Sequence, residues 1–168
     1  MKRIAILASG EGTNAENIIR YFSERKTAKV VVVITNKAQA GVLNRADKLG
    51  IPTEFIPAQD FTEGRALEVL HRYQTDFIAL AGFLLRVPDD ILHDYPNKIV
   101  NIHPALLPKF GGKGMYGSRV HQAVIASHEK ESGITIHYIN ERYDEGNTIF
   151  QATCPVLPTD TPDTLAIR

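Results

Sequence analysis

Apolar residues in this chain gather in short continuous runs, separated by segments in which they recur every three or four positions. The runs at residues 4–8, 30–35, 53–56, 77–81 and 99–102 have strand length. The second is β-branched almost throughout, as expected of a strand buried on both faces of a sheet. Helical spacing predicts helices over 15–25, 40–49 and 63–73, the last with Leu67, Leu70 and Tyr73 on one face. Gly50 closes the second helix and Pro52 follows it. A short helix is predicted at 88–93. This alternation implies an α/β fold: a doubly wound, mainly parallel, Rossmann-like sheet with helices on both faces and right-handed crossovers.

The last third reads differently. After a glycine-rich stretch at 111–114 the pattern predicts a helix over 118–127 and strands over 134–139 and 148–156. The link between those strands is too short for a crossover, so they form a C-terminal antiparallel pair. Thr161-Pro162-Asp163 is a helix start, with a capping hydroxyl, proline at the first position and an acid in the first turn. That helix runs only to Leu165-Ala166-Ile167-Arg168. The expectation is a single domain over residues 1–168, with its C-terminal helix cut short.

Composition narrows the classes. At 168 residues the chain has the length of one ordinary domain, and its 43% hydrophobic and 23% charged residues are globular values. Nineteen basic residues balance nineteen acidic ones, so no global field draws in nucleic acid or an anionic membrane. Cys154 has no partner for an intrachain disulfide, which fits a reducing compartment. The apolar run behind Met1-Lys2-Arg3 stops at Gly10-Glu11, short of a signal-peptide core, and no run approaches a membrane span. The expectation is a soluble, cytoplasmic protein. The six histidines show no zinc spacing, and His71, His93 and His128 read as ordinary helix or surface residues.

Two segments carry chemistry. Gly10-Glu11-Gly12-Thr13-Asn14-Ala15 lies between the first strand and the first helix and has the form G-x-G-x-x-A. Glycines let the backbone turn tightly and approach a ligand, and the helix N-terminus favours an anion. A dinucleotide site also calls for an acid at the end of the second strand. Thr35-Asn36-Lys37 offers none, so a phosphate fits better than NAD. A tight strand-to-helix turn remains the plain alternative.

The second segment is Asn101-Ile102-His103-Pro104. On a strand Asn101 and His103 point the same way, and Pro104 places both near its C-terminal end, where open α/β sheets bind ligands. An amide donor beside a group that titrates near neutrality can stabilise an oxyanion and move a proton. The same pair could also serve as a polar strand end that caps nearby loops.

Asn101-Ile102-His103-Pro104-Ala105-Leu106-Leu107-Pro108 resembles the signature of the folate-dependent formyltransferases. With Gly10-Glu11-Gly12-Thr13-Asn14, Ala81-Gly82-Phe83-Leu84-Leu85-Arg86 and Tyr143-Asp144-Glu145-Gly146, the likeness extends in order along the chain and is to the phosphoribosylglycinamide formyltransferases within that family. It implies formyl transfer from 10-formyltetrahydrofolate to the amine of glycinamide ribonucleotide, a step of purine synthesis, by a monomer or homodimer without a metal.

The resemblance also implies roles. Asn101, His103 and Asp144 match the catalytic trio, and Gly10, Glu11, Gly12, Thr13 and Asn14 the phosphate site. Arg65, Phe83, Leu84, Arg86 and Val87, with Glu141, Arg142 and Tyr143, match the folate pocket. His137 and His121 match supporting histidines. On local chemistry alone Asp144 reads as a turn residue before Gly146. The segment 109–117 is longer and richer in glycine than the family pattern leads one to expect. The same signature is shared with methionyl-tRNA formyltransferases and formyltetrahydrofolate deformylases, so hydrolysis of the same folate is the nearest rival. A non-catalytic nucleotide-binding module and a nicotinamide-dependent oxidoreductase are more distant ones.

Overall fold

Each apolar run becomes a strand in the computed structural model, which describes residues 1–142 and 144–168. The chain divides into two compact units, Met1–Ile99 and Val100–Arg168.

In the first unit β1 (Lys2–Leu7) is flanked by β2 (Ala28–Thr35) and β4 (Phe77–Leu80), and β3 (Thr53–Phe55) lies beyond β2, all parallel. Ile6, Leu7, Val32, Val33, Ile34 and Ile78 are completely buried, which accounts for the unbroken apolar character of these strands. Helices α1 (Thr13–Arg25) and α2 (Gly41–Lys48) connect β1 to β2 and β2 to β3. The next connection crosses to the far side of β1, carrying α3 (Ala58–Thr62) and α4 (Arg65–Arg72). Right-handed crossovers then require helices on both faces, and the strand order reverses between β1 and β4. Helix α5 (Asp89–Asp94) follows β4.

The helix expected over 63–73 is shorter, because Gly64 (φ 90°) precedes its first turn at Arg65. The segment before it forms α3, a single turn anchored by buried Phe61 and too short to show helical periodicity. Strand β5 (Ile99–His103) begins with the last residue of this unit.

In the second unit β5 pairs antiparallel with β6 (Glu131–Tyr138), which pairs antiparallel with β7 (Thr148–Pro155). The expected hairpin is present. Its first strand starts three residues before the apolar run, because Ser132 and Gly133 also pair, with Cys154 and Thr153. Ala105 packs with Val120 and Val124 of α6 (Ser118–Ala126) and with Leu165 of α7 (Pro162–Ile167). Helix α7 opens with the expected cap: Thr161 Oγ1 accepts from the Thr164 amide at 3.2 Å, and Thr164 Oγ1 accepts from the Thr161 amide at 2.9 Å. Among the described residues no helix is long and apolar enough to cross a membrane.

One buried hydroxyl gathers three loops at the C-terminal ends of the strands in the first unit. Ser9, just after β1, is 2% exposed. Its Oγ accepts from the Leu84 amide at 2.9 Å and donates to Asn36 Oδ1 at 2.6 Å, while its amide donates to the Gly82 carbonyl at 3.0 Å. Ser9→Ala strands the Leu84 amide and the Asn36 oxygen, so we expect a loss of about 1–3 kcal/mol of stability. Urea unfolding of the two proteins checks this, and equal midpoints would remove Ser9 from the account.

Candidate functional site

The glycine loop leaves β1 and enters α1 through Gly12, whose left-handed conformation (φ 79°) is the helix N-cap. A Cβ on Gly12 would stand 2.5 Å from Val42 Cβ, so close packing and positive φ both exclude a side chain here. The first intrahelical bond runs from the Glu16 amide to the Gly12 carbonyl at 2.9 Å. The amides of the preceding turn therefore have no intrahelical acceptor, and no side chain caps the helix. Gly10, Glu11, Thr13 and Asn14 are exposed. Free donors, a helix N-terminus and solvent access are what an anion needs.

The loop after β4 carries Phe83, Leu84, Arg86 and Val87. Leu84 is 40% exposed and Phe83 packs on Phe61, with ring centroids 5.1 Å apart. Val87 is buried, so it supports the loop from beneath. Arg86 pairs with Asp89 at 2.7 Å, and Arg65, the first residue of α4, lies 3.7 Å from Asp60.

The second unit brings together Asn101, His103, His137 and Asp144. Register does the first part, since Asn101 stands directly across from His137 and His103 across from Thr135. Asn101 Nδ2 lies 3.2 Å from His137 Nε2, and His137 Nδ1 lies 3.0 Å from the Tyr138 carbonyl. A carbonyl only accepts, so Nδ1 of His137 carries a proton. In the neutral ring Nε2 then accepts from the Asn101 amide, whereas in the protonated ring Nε2 donates to Asp144 Oδ1. The buried His137, when neutral, thereby fixes which end of the Asn101 amide faces it, and the second N–H of Asn101 remains for another acceptor.

Asp144 receives the rest. Oδ1 lies 3.5 Å from His137 Nε2, Oδ2 lies 3.6 Å from His103 Nδ1, and Oδ2 accepts from the Gly112 amide at 2.9 Å. His103, 3% exposed, donates from Nε2 to the Phe110 carbonyl at 2.8 Å. Burial pushes the Asp144 carboxyl up. The His137 hydrogen bond, the Gly112 amide and the charges of His103 and His137 outweigh it and hold the carboxyl below its ordinary value.

Not every expected residue joins this group. His121, on α6, has a buried Nδ1 without a hydrogen-bond partner among the described residues, and burial lowers its pKa. Glu141 and Arg142 are exposed, and Arg142 lies 3.4 Å from Glu145. Tyr143 falls outside the described residues.

The residues that sequence reasoning passed over are mostly braces. Thr135 Oγ1 donates to the Ala105 carbonyl at 2.7 Å and accepts from the Leu107 amide at 3.0 Å, tying the turn after Pro104 to β6. Gln151 donates to the Leu107 carbonyl at 3.0 Å. Asn36 holds Ser9 at the strand end where a dinucleotide site would carry an acid.

A model of the formyl transferase family matches residues 2–168. The chain belongs to the formyl transferase family. It is 40% identical to the chloroplastic phosphoribosylglycinamide formyltransferase of Arabidopsis thaliana, over 99% of this chain and 60% of that protein. It thus spans less than two-thirds of the plant relative. It is 34% identical to the phosphoribosylglycinamide formyltransferase of Bacillus subtilis, over 100% of this chain and 87% of that one. The crystal structure of the Anaplasma phagocytophilum phosphoribosylglycinamide formyltransferase superposes with a TM-score of 0.91 at 35% identity, over 99% of this chain and 78% of that one. The fold is therefore the formyltransferase fold, mainly parallel with a C-terminal antiparallel strand pair.

The lowered Asp144 pKa has a sign that can be tested. The stabilisation from its ionised form is complete above the ordinary carboxylate range and is lost as the pH falls from that range through its own lower value. The difference in melting temperature between the protein and Asp144→Asn should still be present at about pH 5 and be lost only as the pH falls below the ordinary carboxylate range. A difference that disappears by pH 6 would contradict the assignment.

Proposed function

We propose that the chain transfers the formyl group of 10-formyltetrahydrofolate to the amine of glycinamide ribonucleotide, as a phosphoribosylglycinamide formyltransferase. The observation that carries the reading is the shared set of contacts among Asn101, His137, Asp144 and His103, in a family whose members act on formyl groups. The names of the bacterial relatives, of which the chain covers 80% and 87%, support the choice of acceptor.

In this reading the glycine loop and first turn of α1, residues 10–14, take the substrate phosphate. Leu84 and Phe83 give the folate ring an apolar wall, with buried Val87 supporting the loop that carries them. Arg65 and Arg86 supply cations for its carboxylates, and Glu141, Arg142 and Tyr143 are assigned to folate binding by the family resemblance alone.

The reaction forms a bond from the amine nitrogen to the formyl carbon and breaks the bond from that carbon to the folate nitrogen. Asn101 donates its second N–H to the oxygen that becomes anionic. His103 donates to the same oxygen from Nε2, exchanging the Phe110 carbonyl for the oxyanion. Asp144, already ionised, accepts a proton from the attacking amine through water and keeps Nδ1 of His103 oriented. That proton then leaves with the folate nitrogen. His137 holds Asn101 in its donating orientation.

Donors aimed at a developing oxyanion are worth about 2.7–4 kcal/mol each, so Asn101→Ala should lower kcat about 10²–10³-fold. Asp144→Asn should lower it by about 10² or more. Both are read from absorbance-monitored turnover of 10-formyldideazafolate with and without glycinamide ribonucleotide. Deformylation that requires the nucleotide supports the transferase. Equal deformylation without it makes the protein a hydrolase, and near-normal turnover by Asp144→Asn removes that residue from the mechanism.

A further inference from the structure

Two carbonyls of the glycine loop are drawn toward the same helix. The Val42 amide donates to the Gly10 carbonyl at 3.1 Å, and Arg45 Nε donates to the Glu11 carbonyl at 2.7 Å. Both donors belong to α2. In a planar trans peptide the N–H points opposite to its C=O. A Gly10 carbonyl turned toward α2 sends the Glu11 amide the other way, and a Glu11 carbonyl turned toward Arg45 does the same for the Gly12 amide. The Glu11 carboxylate is turned aside as well. A Cβ built on Gly41, the first residue of α2, would stand only 2.5 Å from Glu11 Oε2, so the acid of the loop lies against that helix start.

Arg45 is itself held. Its Nη1 donates to Glu16 Oε2 at 2.5 Å, while Arg20 reaches Glu16 Oε1 through Nη2 at 2.8 Å and Nε at 3.0 Å. Glu16 lies in the first turn of α1, where its charge would oppose an incoming anion. The two guanidinium groups hold its carboxyl below its ordinary value, that of Arg20 foremost, and balance the charge.

We propose that Arg45 is the positioning residue of the phosphate loop: anchored by Glu16, it pulls the Glu11 carbonyl toward α2 and so aims the Gly12 amide at the substrate phosphate. The inference rests on the reading of residues 10–14 as the phosphate site. Arg45 need not touch the ligand. Its fork serves two acceptors at fixed angles, Nε to a carbonyl and Nη1 to a carboxylate, which a lysine cannot reproduce.

The test is steady-state kinetics of Arg45→Lys, Arg45→Gln and Glu16→Gln with both substrates varied. Both Arg45 variants should raise KM for glycinamide ribonucleotide about tenfold, the scale of one lost hydrogen bond to a charged group. The KM for the folate analogue and kcat at saturation should stay within about twofold, which a general loss of folding would not allow. Glu16→Gln should raise the same KM, because it releases Arg45. An Arg45→Lys variant with unchanged KM overturns the proposal. So does Glu16→Gln with unchanged or lowered KM beside a weakened Arg45→Gln, which would make Arg45 a direct phosphate ligand. Should the unaltered protein fail to use glycinamide ribonucleotide at all, the functional reading fails separately. The positioning claim is then decided by inorganic phosphate titrated against the Gly12 and Thr13 amide resonances: weaker binding in the Arg45 variants sustains it, and equal binding ends it.

Discussion

A carboxylate removed from water has to be compensated, and the second unit is organised around that requirement for Asp144. Its oxygens face the Gly112 amide, His103 and His137, and no one of these could balance burial alone. The chain sends three separate segments to meet it: the end of β5, the end of the neighbouring β6 and a glycine-rich loop. What keeps the acid ionised also sets the histidines. A neutral Asp144 would present no charge to the Nδ1 side of His103 and a weaker acceptor to the Gly112 amide. The electrostatics and the geometry are one constraint.

The first unit meets a different demand, the display of backbone donors without a side chain to hold them. Peptide planes turn as units, so a loop can be oriented by pulling on its carbonyls from behind. Ser9 fixes where the loop begins, Val42 and Arg45 fix two of its planes, and Gly12 closes it onto α1. None of these braces is an anion ligand by itself. Together they give the loop a shape before any ligand arrives, which lowers the ordering cost of binding.

The strands were legible because buried parallel strands must be apolar without interruption, a property that survives in a single sequence. The α7 cap was legible because Thr161, Pro162 and Asp163 act within one turn. Helix α3 was not, since one buried Phe61 leaves no period to read. Ser9 and Asn36 are 27 residues apart, Arg45 and Glu11 are 34 apart, and Gly112 and Asp144 are 32 apart. Such bonds depend on the fold and leave no local pattern. Asp144 shows the limit most plainly, because its neighbours spell a turn and only the family likeness singled it out. Residues 111–114 read only as a glycine-rich stretch, yet the Gly112 amide meets Asp144 and the carbonyl of the preceding Phe110 meets His103. The order of that stretch comes from partners outside it.

The strand register has a further consequence. The alignment that sets Ile102 against Ile136 also sets Asn101 against His137. Slipping β6 by one residue would turn His137 to the opposite face and bring a half-buried isoleucine into its place. A misaligned molecule would then be both inactive and abnormally sticky, and would be cleared with the unfolded fraction. Folding acts here as the inspection step for the chemistry, because the apolar contacts that certify the sheet are spaced on the same ruler as the groups that would do the work.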